Sequence, residues 1–88
     1  MSPSEKFKLR EGVVFQDLGD EGLLLDTKTE EVFSFDSVAR DIWLALQHTG
    51  SFDAALADTL RLYDIDAATL RRDMLKLLER IRQAGLLD

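Results

Sequence analysis

The sequence predicts an α+β fold, a three-stranded antiparallel sheet followed by three helices in the outline of a winged helix-turn-helix. Three observations carry this. The run Glu31-Val32-Phe33-Ser34-Phe35 alternates with period two and is rich in aromatic and β-branched residues, the pattern of a strand with one buried face. Directly after it, Val38, Ala39, Ile42, Trp43 and Leu46 recur at three- and four-residue steps, so strand period gives way to helix period at Asp36-Ser37. Two further helical segments meet at the corner Asp64-Ile65-Asp66, the second longer and more basic than the first.

Taken in order, residues 1–9 carry Pro3, two serines and mixed charges without a period, and are expected to form a loosely attached tail before a domain at 10–88. The first strand is placed at 13–18, ending in the turn Gly19-Asp20-Glu21-Gly22. A short, continuously apolar second strand at 22–26 suits the centre of a small sheet, and Thr27-Lys28-Thr29-Glu30 turns the chain into the third strand at 31–35, with Phe33 and Phe35 inward. Connections this short cannot make a parallel crossover, so the strands form an antiparallel meander.

Asp36 or Ser37 offers the cap of a first helix at 37–48, and Gly50 suits the left-handed residue that ends it. Ser51 caps a second helix with Phe52, Ala55, Leu56, Thr59, Leu60 and Tyr63 on one face. Asp66 caps the third, which runs to about residue 84 with Leu70, Met74, Leu77, Leu78 and Ile81 inward. Gly85 stops it, and Leu86-Leu87 fold back.

Composition narrows the function. Of 88 residues, 45% are hydrophobic and 32% charged, which describes one ordinary globular core. The absence of cysteine excludes disulfides, thiolate metal sites and thiol catalysis, and suits a reducing compartment. No segment approaches the roughly 20 apolar residues of a membrane span, so a cytoplasmic protein with no membrane partner is expected. Eleven Lys+Arg against 17 Asp+Glu give a net charge of −6, which opposes non-specific binding to nucleic acid. The exception is a basic strip late in the chain: Arg71, Arg72, Lys76, Arg80 and Arg82, against Asp73 and Glu79.

Catalytic groups are scarce. The one histidine, His48, falls at the end of the first helix, where it meets the helix dipole, and Trp43 falls in a core stripe. The acidic turns Asp17-Asp20-Glu21 and Glu30-Glu31 lack calcium-loop spacing, and Gly19 and Gly22 precede no helix, so neither a metal site nor a phosphate cradle is expected. The reading is a non-enzyme without cofactor.

What remains is the third strand. In a meander its outer edge exposes unpaired N–H and C=O groups, and Glu31, Val32 and Ser34 point outward with neither proline nor lysine to protect them. An extended peptide can add a fourth strand there. The competing expectation is an edge shielded by the N-terminal tail or by a second copy in a homodimer.

The order Gly22-Leu23-Leu24-Leu25-Asp26, Val32 through Phe35, Ala39-x-x-Ile42-Trp43, Gly50, Tyr63-Asp64-Ile65, Asp73, Leu77-Leu78 and Gly85-Leu86-Leu87 resembles the PqqD-like proteins over residues 8–88. These are the pyrroloquinoline quinone biosynthesis D chaperones and the related recognition elements for ribosomally made, modified peptides. The resemblance implies a module that holds the leader region of a precursor peptide beside the third strand, in a groove shared with the third helix, and presents it to a modifying enzyme such as a radical-SAM enzyme, peptidase or cyclase. Carried over by position, Val32, Phe33, Ser34 and Phe35 would supply the backbone ladder, and Leu70, Arg71, Met74, Leu75 and Leu78 would line the groove. Many relatives have Leu-Asn at the strand-to-helix joint where this chain has Phe35-Asp36; Asp caps a helix as Asn does. A DNA-binding regulator with its third helix in the major groove is the alternative, which the negative charge opposes.

Overall fold

The structure is a computed structural model and describes residues 7–88. The order is β1 (Val13–Asp17), β2 (Gly22–Asp26), β3 (Val32–Phe35), α1 (Ser37–Thr49), α2 (Phe52–Leu60) and α3 (Ala67–Gln83), so the α+β reading holds. The sheet is antiparallel in the order β1-β2-β3, with Leu24 opposite Phe15 on one side and Phe33 on the other. Apolar β2 occupies the centre, as its composition requires.

The turns are built by side chains. Asp26 is only 4% exposed; its carboxylate accepts from the backbone N–H of Lys28 at 3.0 Å and from the guanidinium of Arg10. This Asx-type bond tightens the β2–β3 turn, in which Glu30 takes a left-handed φ of 65°. At Gly22 the requirement is space: a Cβ there would lie 2.8 Å from the ring of Phe15.

Each helix starts on its expected cap. Asp36 accepts from Ala39 N–H at 2.8 Å, Ser51 from Ala54 N–H at 3.3 Å and Asp66 from Thr69 N–H at 3.2 Å, and caps of this kind contribute about 1 kcal/mol apiece. Gly50 closes α1 at φ 66° with its N–H on the Leu46 carbonyl. The second helix is shorter than its pattern predicts. It ends at Leu60, its last turn tightened by Arg61 and Leu62 N–H bonds to the Asp58 and Thr59 carbonyls, and Tyr63 leaves the helix to donate its hydroxyl proton to Asp41. The corner before α3 is therefore residues 61–66 rather than three residues.

The core is the inner sheet face against the helices. Phe35, Trp43, Leu24, Leu46, Leu70, Met74 and Ile81 are essentially inaccessible, and the Phe35 and Trp43 rings lie 6.0 Å apart. The joint from β3 to α1 thus plants one aromatic on each element in the same packing centre. Outside it, Arg40 on α1 forks onto Asp17 at 2.6 and 2.8 Å and reaches Asp41, the carboxylate that also receives Tyr63, tying sheet, α1 and corner together.

The N-terminal expectation is corrected in part. Residues 1–6 lie outside the described residues. Phe7, however, is buried, and Leu9 bridges Leu87, with Arg10 N–H bonded to Leu86 O and Asp88 N–H to Lys8 O, both at 2.8 Å. An apolar Phe7 in this short charged run is what docks it, together with the folded-back Leu86.

Candidate peptide-binding edge

β3 borders the sheet, and its pairing with β2 fixes which backbone groups face outward. Asp26 N–H donates to the Glu31 carbonyl at 2.9 Å, and antiparallel ladders alternate, so the Glu31 C=O and both backbone groups of Phe33 and Phe35 face β2, while the Glu31 N–H donates to the Thr29 hydroxyl in the turn. Val32 and Ser34 direct theirs to the open side. Among the described residues none pairs with that side: residues 8–10 bond to residues 86–88 instead, and residues 1–6 of the tail expected as a shield lie outside the described residues.

Side chains follow the same alternation. Phe35 is buried, Phe33 is half-buried, and Val32 and Ser34 are exposed on the outer face. Beneath the inner side lies α3, which runs back along β3: Ala84 and Leu86 stand near Glu31, Val32 and Phe33, while Asp73, Lys76 and Leu77 stand near Asp36, Val38, Ala39 and Ile42. The guanidinium of Arg80 sits 5.2 Å over the Phe33 ring, between two depressions. The wider, about 440 Å³, is walled by Val38, Ala39, Ile42, Ile65 and Leu77 among others; the narrower, about 110 Å³, by Val32, Phe33, Ala84, Leu86 and Glu31. Strand edge and helix together therefore form one groove with a wide end, a cationic waist and a narrow end.

The helix side of the expected residue set is placed differently. Leu70 and Met74 have no exposure and belong to the core. Arg71 turns to α2, 5.6 Å over the Phe52 ring and 3.7 Å from Asp53. Leu75 is exposed and Leu78 half-buried, on the same flank of the helix as Arg71. The buried stripe Leu70-Met74-Leu77-Ile81 has two flanks, and the groove lies along the other one, marked by Asp73, Lys76, Arg80 and Ala84. Two leucines make the outer flank look like a binding face in the sequence, whereas the groove flank is mostly charged. Helix periodicity cannot choose between them; the chain reversal that lays α3 back along β3 does.

The same geometry divides the basic strip. Arg71 pairs with Asp53 and Arg82 with Glu79 at 2.5 Å, while Arg72, Lys76 and Arg80 follow one another at four-residue steps on the exposed side of α3, Lys76 and Arg80 lining the groove beside the acidic Asp36 and Asp73. His48 stands exposed in the last turn of α1. Among the described residues no cluster of three or more His, Asp or Glu is arranged to hold a metal, and no helix is long and apolar enough to cross a membrane.

An open sheet border beside a helix-walled groove is the architecture of a domain that receives an extended chain. The protein belongs to the family described as Coenzyme PQQ synthesis protein D (PqqD), which it matches over residues 21–87. Among solved structures it is similar to TbiB1 in complex with the TbiA(beta) leader peptide, at 27% identity and a TM-score of 0.82, covering 92% of this chain and 94% of that one. It also shares the fold of a lasso peptide synthetase B1 complexed with the leader peptide, at 20% identity and a TM-score of 0.82, covering 92% and 95%. A search of curated proteins found no match.

Proposed function

We propose that this protein binds the leader region of a ribosomally made precursor peptide as a fourth strand on β3 and holds it for a modifying enzyme, without catalysis of its own. The observation that carries this is the outward backbone of Val32 and Ser34 beside the groove, unpartnered among the described residues. Family membership and the leader peptides bound to TbiB1 and the lasso peptide synthetase B1 support it.

The energetics assign roles to the two halves of the site. Two outward residues offer at most four backbone hydrogen bonds, worth about 0.5–1.5 kcal/mol each, so the ladder sets direction and register while side chains in the groove supply most of the affinity. The core aromatics Phe35 and Trp43 keep the edge straight and the groove preformed, which limits the ordering cost to that of the peptide.

The test is calorimetric titration with the TbiA(beta) leader and with leader-like segments encoded near this gene, together with amide shift mapping. Binding is expected to perturb Val32, Ser34 and the Lys76–Arg80 flank. Shifts confined to the outer flank, around Leu75, would overturn the strand-addition reading.

A further inference from the structure

We infer that the peptide entering this groove carries an acidic side chain opposite Phe33, with apolar side chains two residues away on either side, bulky toward α1 and small toward Leu86. This rests on the strand-addition reading and states which sequence it selects.

Register comes first. A residue laid directly opposite Phe33 points its side chain to the same face as Phe33, whichever direction the added strand runs. That face is the groove, and its waist is Arg80 over the Phe33 ring. The neighbours at plus and minus two also point inward, roughly 6.6 Å along the strand at about 3.3 Å per residue, and so reach the two depressions. The wide one is walled mainly by Val38, Ala39, Ile42, Ile65 and Leu77 and takes a large apolar side chain; the narrow one, between Ala84 and Leu86, takes a small one.

Charge comes second. Among the described residues, Lys8, Arg10, Arg40, Arg61, Arg71 and Arg82 each lie within 4.0 Å of a carboxylate, whereas Lys28, Arg72, Lys76 and Arg80 do not, and of these four Lys76 and Arg80 line the groove. In a chain with six more acids than bases, two such cations side by side in a groove mark a place that a carboxylate from outside completes. The narrow end is the opposite, with Glu31 as its one charged wall residue, and the wide end balances Asp36 and Asp73 against the same Lys76 and Arg80. Acid is therefore favoured at the waist and disfavoured at the narrow end, while the balanced, mainly apolar wall of the wide end selects for apolar bulk rather than charge.

The test is selection of displayed random nine-residue peptides against the whole protein, in parallel with Arg80→Glu and Val32→Pro. The wild type is expected to enrich Asp or Glu at one position with apolar residues two away on each side, and Arg80→Glu to exchange that acid for Lys or Arg. In a selected peptide, replacing the acid by Lys should weaken binding about tenfold and recover it on Arg80→Glu. Arg80→Gln and Lys76→Gln, milder at exposed sites, should each lose the acidic preference and thereby guard against misfolding of the reversal variant. Peptides that need the Val32 N–H but are indifferent to charge at that position would overturn this inference and leave strand addition standing. A selection yielding no peptide sensitive to Val32→Pro would overturn both.

Discussion

Arg10 places its guanidinium on the nearly inaccessible carboxylate of Asp26, joining the start of the domain to the end of its central strand. The backbone N–H of Lys28, and Arg10 with it, hold the Asp26 carboxyl below its ordinary value of 3.8. A carboxyl depressed on folding contributes stability that is present above its unfolded value and lost as pH falls through the folded one. Asp26→Asn should therefore lower the denaturation midpoint at neutral pH, and its deficit relative to wild type should shrink as pH drops below 3.8. Urea melts of both proteins across that range check this.

Proline scanning of β3 should separate binding from folding. Val32→Pro deletes an N–H that faces the open side and should abolish most peptide binding while the thermal midpoint moves little. Phe33→Pro deletes an N–H that bonds to β2 and forces a ring into the paired side of the strand, and should unfold the sheet. Circular dichroism and calorimetry on the two variants read both effects.

The two flanks of α3 should respond differently. Ala84→Trp fills the narrow end of the groove and should weaken peptide binding about tenfold, roughly 1.4 kcal/mol. Leu75→Ser, on the exposed outer flank, should leave affinity unchanged. Titration calorimetry distinguishes them.

Gly22 owes its identity to the Phe15 ring. Gly22→Ala should destabilise the domain by about 1–3 kcal/mol, because the added carbon overlaps an aromatic wedged against Phe35 and Trp43. Combining it with Phe15→Leu should recover part of the loss, measured by denaturant melts.

The elements are legible in the sequence because their signals are local. Asp36, Ser51 and Asp66 each announce a helix start within a few residues, and Phe33 and Phe35 announce a half-buried strand. The open border is legible too, since four-residue turns leave a meander no other order. Tyr63 misleads because it continues the apolar step of α2 while its hydroxyl is committed to Asp41, a partner 22 residues away. The groove wall misleads for a related reason: Leu75 and Leu78 advertise a contact face, but which flank of α3 meets β3 depends on how the helix is laid across the sheet, a property no single segment encodes. Arg80 carries no apolar signal at all, and its place over Phe33 emerges only in three dimensions.

The pairing of Lys8–Arg10 with Leu86–Asp88 brings the two ends of the domain side by side, next to the narrow mouth of the groove that Leu86 helps to close. Such a unit can be spliced into a loop of a larger catalyst, or tethered through either terminus, without tearing its sheet. Whatever is joined at that seam is kept within a few residues of the cargo, so recruitment becomes an intramolecular event governed by tether length.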